Sequence, residues 1–539
     1  MEKIEGNIID LKGKRIFPGE VTIDQGYIIE IRENKKSYAH YLCPGFIDAH
    51  VHIESSMLLP EYFSDMVIRK GTVAVVNDPH EIANVLGKAG VVFMLQHAAE
   101  AAIKIFFGLP SCVPATDFDC AGGRMERQDM EELLNGNTSF VALSEMMNVP
   151  GVLAGDGSVL SKLELAKEKG LVIDGHAPGL KGSSLKAYIS QGIVTDHECE
   201  ALEEALEKIQ GGMKILIREG SAAKNYEALK NLIALYPDRV MFCTDDAHPD
   251  DILENGHIDR LVKKALQDGF DFFDVLRIAC VNPVEHYGLP IGLLQKGDKA
   301  DFVKIENLSD FRVLSVYIDG IKKYDLTENK RVKINSLSRI NNFHRQRLSR
   351  EELRCSTETR LLTIQVFKDR IVTGKKEFEF PHPLANLEAD LSRDILKIVY
   401  INRYKNDQPR IAYIHGFGLK AGAFATTVAH DSHNILAVGC NDEDLLESIN
   451  SLIDTQGGLS AVSGKEKKIL PLPIACIMSE WDAFVVSGIY QTLNRFLMDR
   501  GCTLDSPYMT LAFMSLIVIP ELKIGERGLF DCSTFQFLG

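Results

Sequence analysis

The chain has 539 residues, a length that predicts three or four structural units at about 150 residues each. Its 45% hydrophobic and 25% charged residues are typical of a globular protein and argue against wholesale disorder. A formal net charge of −15 has the wrong sign for a protein that binds the nucleic-acid backbone. The longest nearly apolar stretch, residues 511–520, covers about half a membrane span. The 11 cysteines show no CxxC pair, which favours free thiols. We therefore expect a cytoplasmic protein without nucleic-acid or membrane partners.

The first 42 residues read as a small β-unit. Residues 21–24 and 27–31 are apolar-rich runs separated by Gln25-Gly26, a pair typical of a tight hairpin turn. A similar β-like pattern returns at residues 300–324. We expect residues 1–42 and 291–335 to pair into one small β-sandwich unit that flanks the next domain.

Between these two parts, residues 43–290 alternate short apolar runs with helix-length segments. Such alternation predicts an α/β fold in which parallel strands close into a TIM-like (β/α)8 barrel. A further helix is expected at residues 271–280, after the last strand. The eight predicted strands are residues 42–49, 72–77, 104–109, 140–144, 171–174, 193–195, 214–217 and 239–243.

The remainder of the chain is predicted to form a third unit. Residues 336–360 are dense in Arg, Ser and Glu and lack a long apolar face, so we expect a linker or an exposed hairpin there. Residues 361–539 combine strand-like runs at 396–401 and 411–415 with a helical pattern at 443–456. This combination predicts a C-terminal α+β domain.

Polar residues that can bind metal follow several of the predicted barrel strands. His50 and His52 are two residues apart at the end of the first strand, so their side chains can share a face. The carboxyl ends of barrel strands meet on one side of the barrel, where the residues that end other strands should join them. Those residues are Glu145, His176, His197 and Asp245. Nitrogen and oxygen ligands without thiolate suit two divalent cations, Mn²⁺ or Fe²⁺, with Zn²⁺ also compatible. The alternative is a set of polar core residues that satisfy one another.

Several ordered motifs resemble those of one enzyme family. The segment Pro-Gly-Phe-Ile-Asp-Ala-His-Val-His at 44–52 resembles the amidohydrolase superfamily. The motifs Asn-Asp-Pro-His-Glu-Ile-Ala-Asn-Val at 77–85, Thr-Asp-His-Glu at 195–198 and Val-Ala-His-Asp-Ser-His-Asn at 428–434 resemble its adenine deaminase branch. Many members of the superfamily carry a carbamylated lysine on the fourth strand, whereas here that strand ends in Glu145, as in adenine deaminases. The resemblance implies hydrolysis of adenine by water to hypoxanthine and ammonia, with Glu145 bridging two metal ions.

The resemblance also implies roles for carboxylates beside the metal ligands. Asp245 is expected to move a proton from the nucleophile to the leaving amine. Asp78 and Glu81 are expected next to the active site, with Glu81 a candidate for protonating ring N1. The residues alone favour a different role, in which Asp78 caps a helix and Glu81 completes a capping box. His80, between them, is expected to be structural.

Other polar residues have two open interpretations. Glu54, Asp246 and His248 are expected either near the active site or as ordinary polar groups of loops. His430 and His433 lie in a consecutive polar run that could be a turn bonded to its own backbone. The resemblance implies instead that this loop leans over the barrel mouth and meets the substrate.

Two other functions stay open at this point. A deaminase of a modified adenine, such as N6-methyladenine or isoguanine, would carry the same metal ligands, because pocket shape selects the purine. A non-catalytic scaffold with this fold should have lost metal ligands, and all six are present here. We also expect a homodimer or a larger homo-oligomer.

Overall fold

The computed structural model describes residues 1–328, 332, 334, 339–368 and 370–538. The chain begins with the predicted hairpin, in which two strands flank the turn Gln25-Gly26. Gly26 has a φ of 84°, a left-handed value that glycine adopts without a side-chain clash. The first strands are β1 (Glu2–Asp10), β2 (Arg15–Asp24), β3 (Tyr27–Glu33) and β4 (Tyr41–Pro44).

Eight parallel strands follow, in the predicted order. They are β5 (Phe46–Val51), β6 (Thr72–Asn77), β7 (Lys104–Leu109), β8 (Phe140–Met146), β9 (Val172–Gly175), β10 (Thr195–Asp196), β11 (Lys214–Arg218) and β12 (Val240–Cys243). β5 to β9 form one hydrogen-bonded sheet, and β10 to β12 form another. The two sheets meet where Val194 N donates to Ile173 O at 3.0 Å. The barrel closes where Asp245 N donates to His50 O at 3.0 Å. The barrel prediction is confirmed, and its strands are apolar because helices cover their outer faces.

The predicted first strand, residues 42–49, is two strands that belong to different sheets. β4 ends at Pro44 and β5 begins at Phe46, so the break falls at Gly45. A Cβ atom on Gly45 would lie 2.2 Å from Val73 Cγ1, and a glycine therefore lets the chain pass this close to β6. As a result the small sheet extends two residues beyond the predicted limit at residue 42.

Helices connect the barrel strands and cover the barrel from outside. The predicted helix at residues 271–280 is a helix at Phe272–Leu276 together with a π-helical turn at Arg277–Val281. The helices are α1 (Pro60–Ile68), α2 (His80–Leu86), α3 (Lys88–Ala98), α4 (Arg127–Leu134), α5 (Val149–Ala154), α6 (Gly157–Lys169), α7 (Gly182–Ser190), α8 (Leu202–Gln210), α9 (Tyr226–Leu229), α10 (Leu232–Leu235), α11 (Pro249–Asn255), α12 (Ile258–Gln267), α13 (Phe272–Leu276) and α14 (Asn282–Tyr287).

The chain then returns to the small N-terminal sheet. The returning strands are β13 (Phe302–Ile305), β14 (Val313–Ile318) and β15 (Ile321–Asp325). They complete a sheet with the order β15-β14-β13-β4-β1-β2-β3. Its β3 edge approaches the segment that leads into β13, because Ala300 N donates to Gly26 O and Ile28 N donates to Asp298 O, both at 2.8 Å. One continuous sheet thus curls around its own apolar core and forms the sandwich-like unit.

The C-terminal unit is built on a nine-stranded sheet with the helix Asp442–Thr455 on one face. Its strands are β16 (Arg360–Gln365), β17 (Gly374–Glu379), β18 (Ala389–Asp390), β19 (Ile395–Ile401), β20 (Arg410–His415), β21 (Ala423–Thr426), β22 (Ile435–Gly439), β23 (Gly458–Ser463) and β24 (Glu466–Pro471). Its helices are α15 (Asp442–Thr455), α16 (Ala483–Met498) and α17 (Pro507–Ala512). A separate small sheet ends the chain with β25 (Leu522–Gly525), β26 (Gly528–Asp531) and β27 (Gln536–Phe537).

The segment predicted as a linker or exposed hairpin differs from that expectation. Residues 336–338 lie outside the described residues, and the described part, 339–360, forms no hairpin. Leu348 and Leu353 are buried in the apolar cluster beneath α15, and Arg345 pairs with Glu352 at 2.8 Å. This segment lies against the C-terminal unit because its few apolar side chains anchor it there.

The C-terminal unit packs over the carboxyl ends of the barrel strands. Asn434 Nδ2 donates to Cys120 O at 2.8 Å, and Ser479 N donates to Met57 O at 2.8 Å. Cys120 and Met57 belong to loops that follow barrel strands, so these contacts place the unit above the barrel mouth. In the part of the chain that the structure describes, none of the helices is long and apolar enough to cross a membrane.

Candidate active site

Six side chains predicted from the sequence as metal ligands meet at the barrel mouth. His50 lies within β5 and Glu145 within β8, while His52, His176, His197 and Asp245 follow their strands by one or two residues. Each of the six is 5% exposed or less. The parallel register of the barrel brings these strand ends to one side, which accounts for their meeting.

Glu145 lies between two pairs of imidazoles. Its Oε1 is 3.3 Å from His52 Nε2 and 3.8 Å from His50 Nε2. Its Oε2 is 2.8 Å from His176 Nδ1 and 3.3 Å from His197 Nε2. Asp245 Oδ1 lies 3.1 Å from His52 Nε2 and 3.4 Å from His50 Nε2. The two oxygens of one carboxylate therefore face two separate groups of nitrogen atoms.

The charges of this cluster suit cations. Burial alone would raise the pKa of the Glu145 carboxyl, but His176, His197 and His52 hold it well below its ordinary value. Asp245 behaves in the same way, because Arg218 and the histidines outweigh the effect of burial on its pKa. The Nε2 atoms of His50 and His176 are buried without a hydrogen-bond partner. Ionised carboxylates beside such nitrogen atoms are the donor set of a divalent metal site, so the residues fit the group.

Buried polar networks behind the cluster hold the ligands in place. Asp48 Oδ1 accepts hydrogen bonds from His50 N at 3.3 Å and Thr244 N at 3.1 Å, which ties the ends of β5 and β12 together. Lys208 is fully buried and donates to Ala177 O at 2.7 Å and to Asp196 Oδ2 at 3.0 Å. Since Ala177 follows His176 and Asp196 precedes His197, this lysine fixes the two loops relative to each other.

Two charged residues at the site were missed by the sequence analysis. Arg218 ends β11, and its guanidinium donates to Asp245 Oδ2 at 2.6 Å and to Glu198 Oε2 at 3.0 Å. Glu198 follows His197, and its Oε1 lies 3.3 Å from His197 Nε2. Both residues line the cavity above the metal-ligand cluster. The signal for Arg218 was its place at the end of the seventh strand, since residues at strand ends were the ones predicted to bind metal.

Glu81 connects the barrel to the C-terminal unit. Its two carboxylate oxygens contact His430 Nδ1 and His433 Nε2 across the interface between the units. Glu81 completes no capping box, because its side chain points to these imidazoles, but Asp78 Oδ1 does accept a hydrogen bond at 3.1 Å from His80 N at the start of α2. The polar run at 430–434 is a turn, since Ala429 N donates to His433 Nδ1 at 3.2 Å. It also contacts the barrel through Glu81.

His80 lies in the cavity, which differs from the structural role expected for it. Its Nδ1 is 2.9 Å from Asp78 Oδ2 and 3.6 Å from Glu145 Oε1, and its Nε2 is 3.6 Å from Glu81 Oε1. Asp78, expected at the site, does not line the cavity and instead orients His80 from behind. Spacing along the sequence could not show which of these neighbours turns inward.

The comparisons with known proteins agree with this geometry. Residues 41–322 match the amidohydrolase family, and residues 370–536 match the adenine deaminase C-terminal domain. The chain is 47% identical to an adenine deaminase of Methanosarcina acetivorans over 100% of this chain and 99% of that protein. It is 46% identical to one of Sulfurovum sp. and 44% identical to one of Borreliella burgdorferi, each over 99% of both chains. The chain belongs to the adenine deaminase family of amidohydrolases.

Three other residues expected near the site of this adenine deaminase family member lie at different depths. Asp246 lines the cavity and accepts a hydrogen bond from Ser55 Oγ. Glu54 lies one layer behind, where Ile82 N donates to its Oε1 at 3.3 Å and burial raises its pKa to about 7. His248 does not line the cavity, since its ring packs against Tyr490 with the centroids 4.5 Å apart. The position of His248 fits the second interpretation, an ordinary polar group of a loop, because its side chain turns toward Tyr490 of α16.

Proposed function

We propose that this protein hydrolyses adenine to hypoxanthine and ammonia. Membership of the adenine deaminase family supports this reaction. The observation that carries the proposal is the pairing of two groups around one cavity. The predicted metal ligands come from the barrel. Glu81 lines the same cavity and contacts two histidines, His430 and His433, from the C-terminal domain.

The six ligands would hold two divalent ions, Mn²⁺ or Fe²⁺ with Zn²⁺ also compatible. His50, His52 and Asp245 group on one side of Glu145, and His176 and His197 on the other. When bound, the ions supply a water molecule whose pKa is lowered enough to attack at neutral pH. The complete donor set, together with its buried nitrogen atoms that lack partners, supports a metalloenzyme over a scaffold.

The side chains of the chain move the protons. Asp245 would accept a proton from the attacking water and pass it to the amine that leaves C6. The Glu81 and His430 pair would protonate ring N1. Burial would lower the pKa of His430, but the charge of Glu81 outweighs it and raises that pKa to about 9. The pair therefore carries a proton at neutral pH, and His430 Nε2 has no other hydrogen-bond partner.

A substrate panel tests the proposed reaction. Protein loaded separately with Mn²⁺, Fe²⁺ or Zn²⁺ is assayed for release of ammonia from adenine, isoguanine, adenosine and guanine, and for release of methylamine from N6-methyladenine. We expect adenine to have the highest kcat/KM and hypoxanthine to be the product. Turnover of N6-methyladenine or isoguanine without turnover of adenine would reassign the substrate. A failure to release ammonia or methylamine with every ion and purine would refute a deaminase of this class.

The proton on His430 predicts how the rate depends on pH. Because the pKa of His430 is raised to about 9, the imidazolium is present below that pH and is lost as pH rises through it. We expect kcat/KM for adenine to fall along an alkaline limb near pH 9. The Glu81→Gln variant removes the charge that raises this pKa, so its residual activity should fall at a lower pH. An alkaline limb at the same pH in both proteins would assign it to another group.

The contact between His433 and Glu81 predicts a smaller effect. His433 has a φ of 50°, a left-handed backbone value that asparagine tolerates better than alanine. The His433→Asn variant keeps this backbone but is too short to reach Glu81. We expect kcat/KM for adenine to fall about tenfold, or about 1.4 kcal/mol, with metal content and Tm unchanged.

The matched control for that variant is His415→Asn. His415 lies in the same unit, contacts Lys376 Nζ at 2.8 Å and does not line the cavity. Its substitution should leave kcat/KM within about twofold of the original value. Equal kinetics for both variants would show that the polar run at 430–434 is only a turn.

A further inference from the structure

A second cavity, which we call the basal pocket, lies at the other end of the barrel from the metal-ligand cluster. Its volume is about 430 Å³, and residues at the amino ends of the later barrel strands line it. Val172 begins β9, Lys214 begins β11, and Arg239 directly precedes β12. The amino ends of parallel barrel strands meet on the side away from the active site. The basal pocket is therefore separate from the proposed catalytic site.

Three cationic side chains line the basal pocket, namely Lys167, Lys214 and Arg239. Among the described residues, no carboxylate lines it, and none of the three cations has an ion-pair partner. Glu285 does favour the charge of Lys214, but Glu285 is itself paired with Arg277 at 2.9 Å. In a chain with a net charge of −15, such a group of uncompensated cations is unusual.

Lys214 is the most informative of the three cations. It is half-buried, whereas Lys167 and Arg239 are exposed. Burial and the neighbouring charge of Arg239 both lower the pKa of Lys214. A lysine at an ordinary surface position extends its ammonium group into water and avoids this cost. A bound anion would offset the cost, because it would supply the negative charge that the lining lacks.

His286 adds an unused hydrogen-bonding group to the same lining. Its side chain is 7% exposed, and its Nε2 has no hydrogen-bond partner in the described part of the chain. Asp174 Oδ1 lies 3.9 Å from this nitrogen, beyond hydrogen-bond distance, and already accepts a hydrogen bond from Thr195 Oγ1 at 2.7 Å. Buried polar atoms usually have a partner, and an oxygen of a ligand in the basal pocket would provide one.

The basal pocket also has an apolar part. Leu171, Val172 and Val194 line it and are only half-buried, so they expose apolar surface there. The volume falls within the range of about 300–1,000 Å³ that is usual for small-molecule sites, and a bare phosphate ion would leave much of it empty. The lining therefore suits a ligand that has both an anionic group and a small organic part.

We propose that the basal pocket binds a small phosphomonoester, with the phosphate group among Lys167, Lys214 and Arg239. A phosphomonoester carries a charge of about −1.5 to −2 at neutral pH and three acceptor oxygens, so several cations can contact it at once. Lysine binds phosphate as a point charge, and arginine binds it through two parallel N–H donors. A carboxylate has one charge and two oxygens, and it would neutralise less of the lining. This site is independent of the proposed reaction at the barrel mouth.

The test measures binding to the metal-loaded, full-length protein by isothermal titration calorimetry. The probes are ribose 5-phosphate, inorganic phosphate and, as the uncharged counterpart, ribose. Lys214→Met removes a charge but keeps an unbranched apolar stem, and Arg239→Gln removes a charge at an exposed position where folding should not be disturbed. Lys304→Met is the matched control, because Lys304 is a half-buried strand lysine of β13 that does not line the basal pocket.

We expect one ribose 5-phosphate to bind per chain, more tightly than inorganic phosphate, and ribose not to bind. The Kd of ribose 5-phosphate should rise at least about tenfold in Lys214→Met and in Arg239→Gln, since each loses a charge-assisted hydrogen bond. It should stay within about twofold of the original in Lys304→Met. Added NaCl should weaken binding, because salt screens the attraction. Without phosphates, kcat for adenine should stay within about twofold in all three variants.

Three outcomes would overturn the proposal. The first is a lack of saturable binding of ribose 5-phosphate. The second is an equal Kd in the unaltered protein and in both pocket variants, which would place the phosphate elsewhere, such as at the metal ions. The third is an equal loss in Lys304→Met, since a general effect of removing a lysine would explain it. If inorganic phosphate binds as tightly as ribose 5-phosphate and depends equally on Lys214, the ligand is free phosphate and the phosphomonoester is refuted.

Discussion

Replacing Glu145 with glutamine should remove at least one of two bound metal ions and abolish most of the turnover of adenine. Glutamine keeps the size of the side chain but has no negative charge and only one acceptor oxygen. Glu145 Oε2 now faces His176 and His197, and Oε1 faces His50 and His52. An amide nitrogen in either position would point a donor at a metal-binding nitrogen pair. The measurement is metal content after reconstitution, together with kcat for adenine.

The matched control for this variant is Glu61→Gln. Glu61 is also a buried carboxylate beside an imidazole, 2.7 Å from His97 Nδ1, but it does not line the cavity. Its substitution should lower Tm without loss of metal or turnover. A Glu145→Gln protein that retains two ions and full activity would disprove the bridging role.

Much of the barrel could be predicted because its physics is local. A parallel strand covered on both faces must be apolar along its length, so each strand appears in the sequence as a short continuous run. The same property hid the break at Gly45, since β4 and β5 are apolar on both sides of it. There the deciding interaction is the approach of Val73, which no pattern near residue 45 reveals.

The site followed a different rule. A barrel gathers the carboxyl ends of its strands, so residues at those ends could be assigned to one cluster without knowledge of any contact. That rule cannot tell which way a side chain turns once the strand has ended. For this reason His80 differs from expectation, and the sequence could not decide between the two interpretations of His248. The rule also cannot predict contacts between the barrel and the C-terminal unit, because 349 positions separate Glu81 from His430 in the sequence. Only the family resemblance pointed to that loop.

Replacing Asp245 with asparagine should lower kcat for adenine by a factor on the order of 10² or more, with the fold intact and at least one metal ion bound. The backbone favours this variant, since Asp245 has a φ of 56° and asparagine is among the residues that adopt such values most readily. The amide oxygen can still accept the hydrogen bond that Arg218 now donates to Asp245 Oδ2. What asparagine cannot do is take up and return a proton. The loss should therefore appear in kcat more than in KM.

The ion-paired Asp268 provides the control for this last substitution. It accepts a hydrogen bond from Tyr226 OH and pairs with Lys230 Nζ, both at 3.1 Å, and it does not line the cavity. Asp268→Asn should leave kcat within about twofold of the original, because a partly exposed ion pair contributes little. If Asp245→Asn also stays within a few-fold, Asp245 carries no proton. Asp245 would then be a metal ligand only, held in position by Arg218. Glu198, the other carboxylate that accepts a hydrogen bond from Arg218, would be the next residue to test.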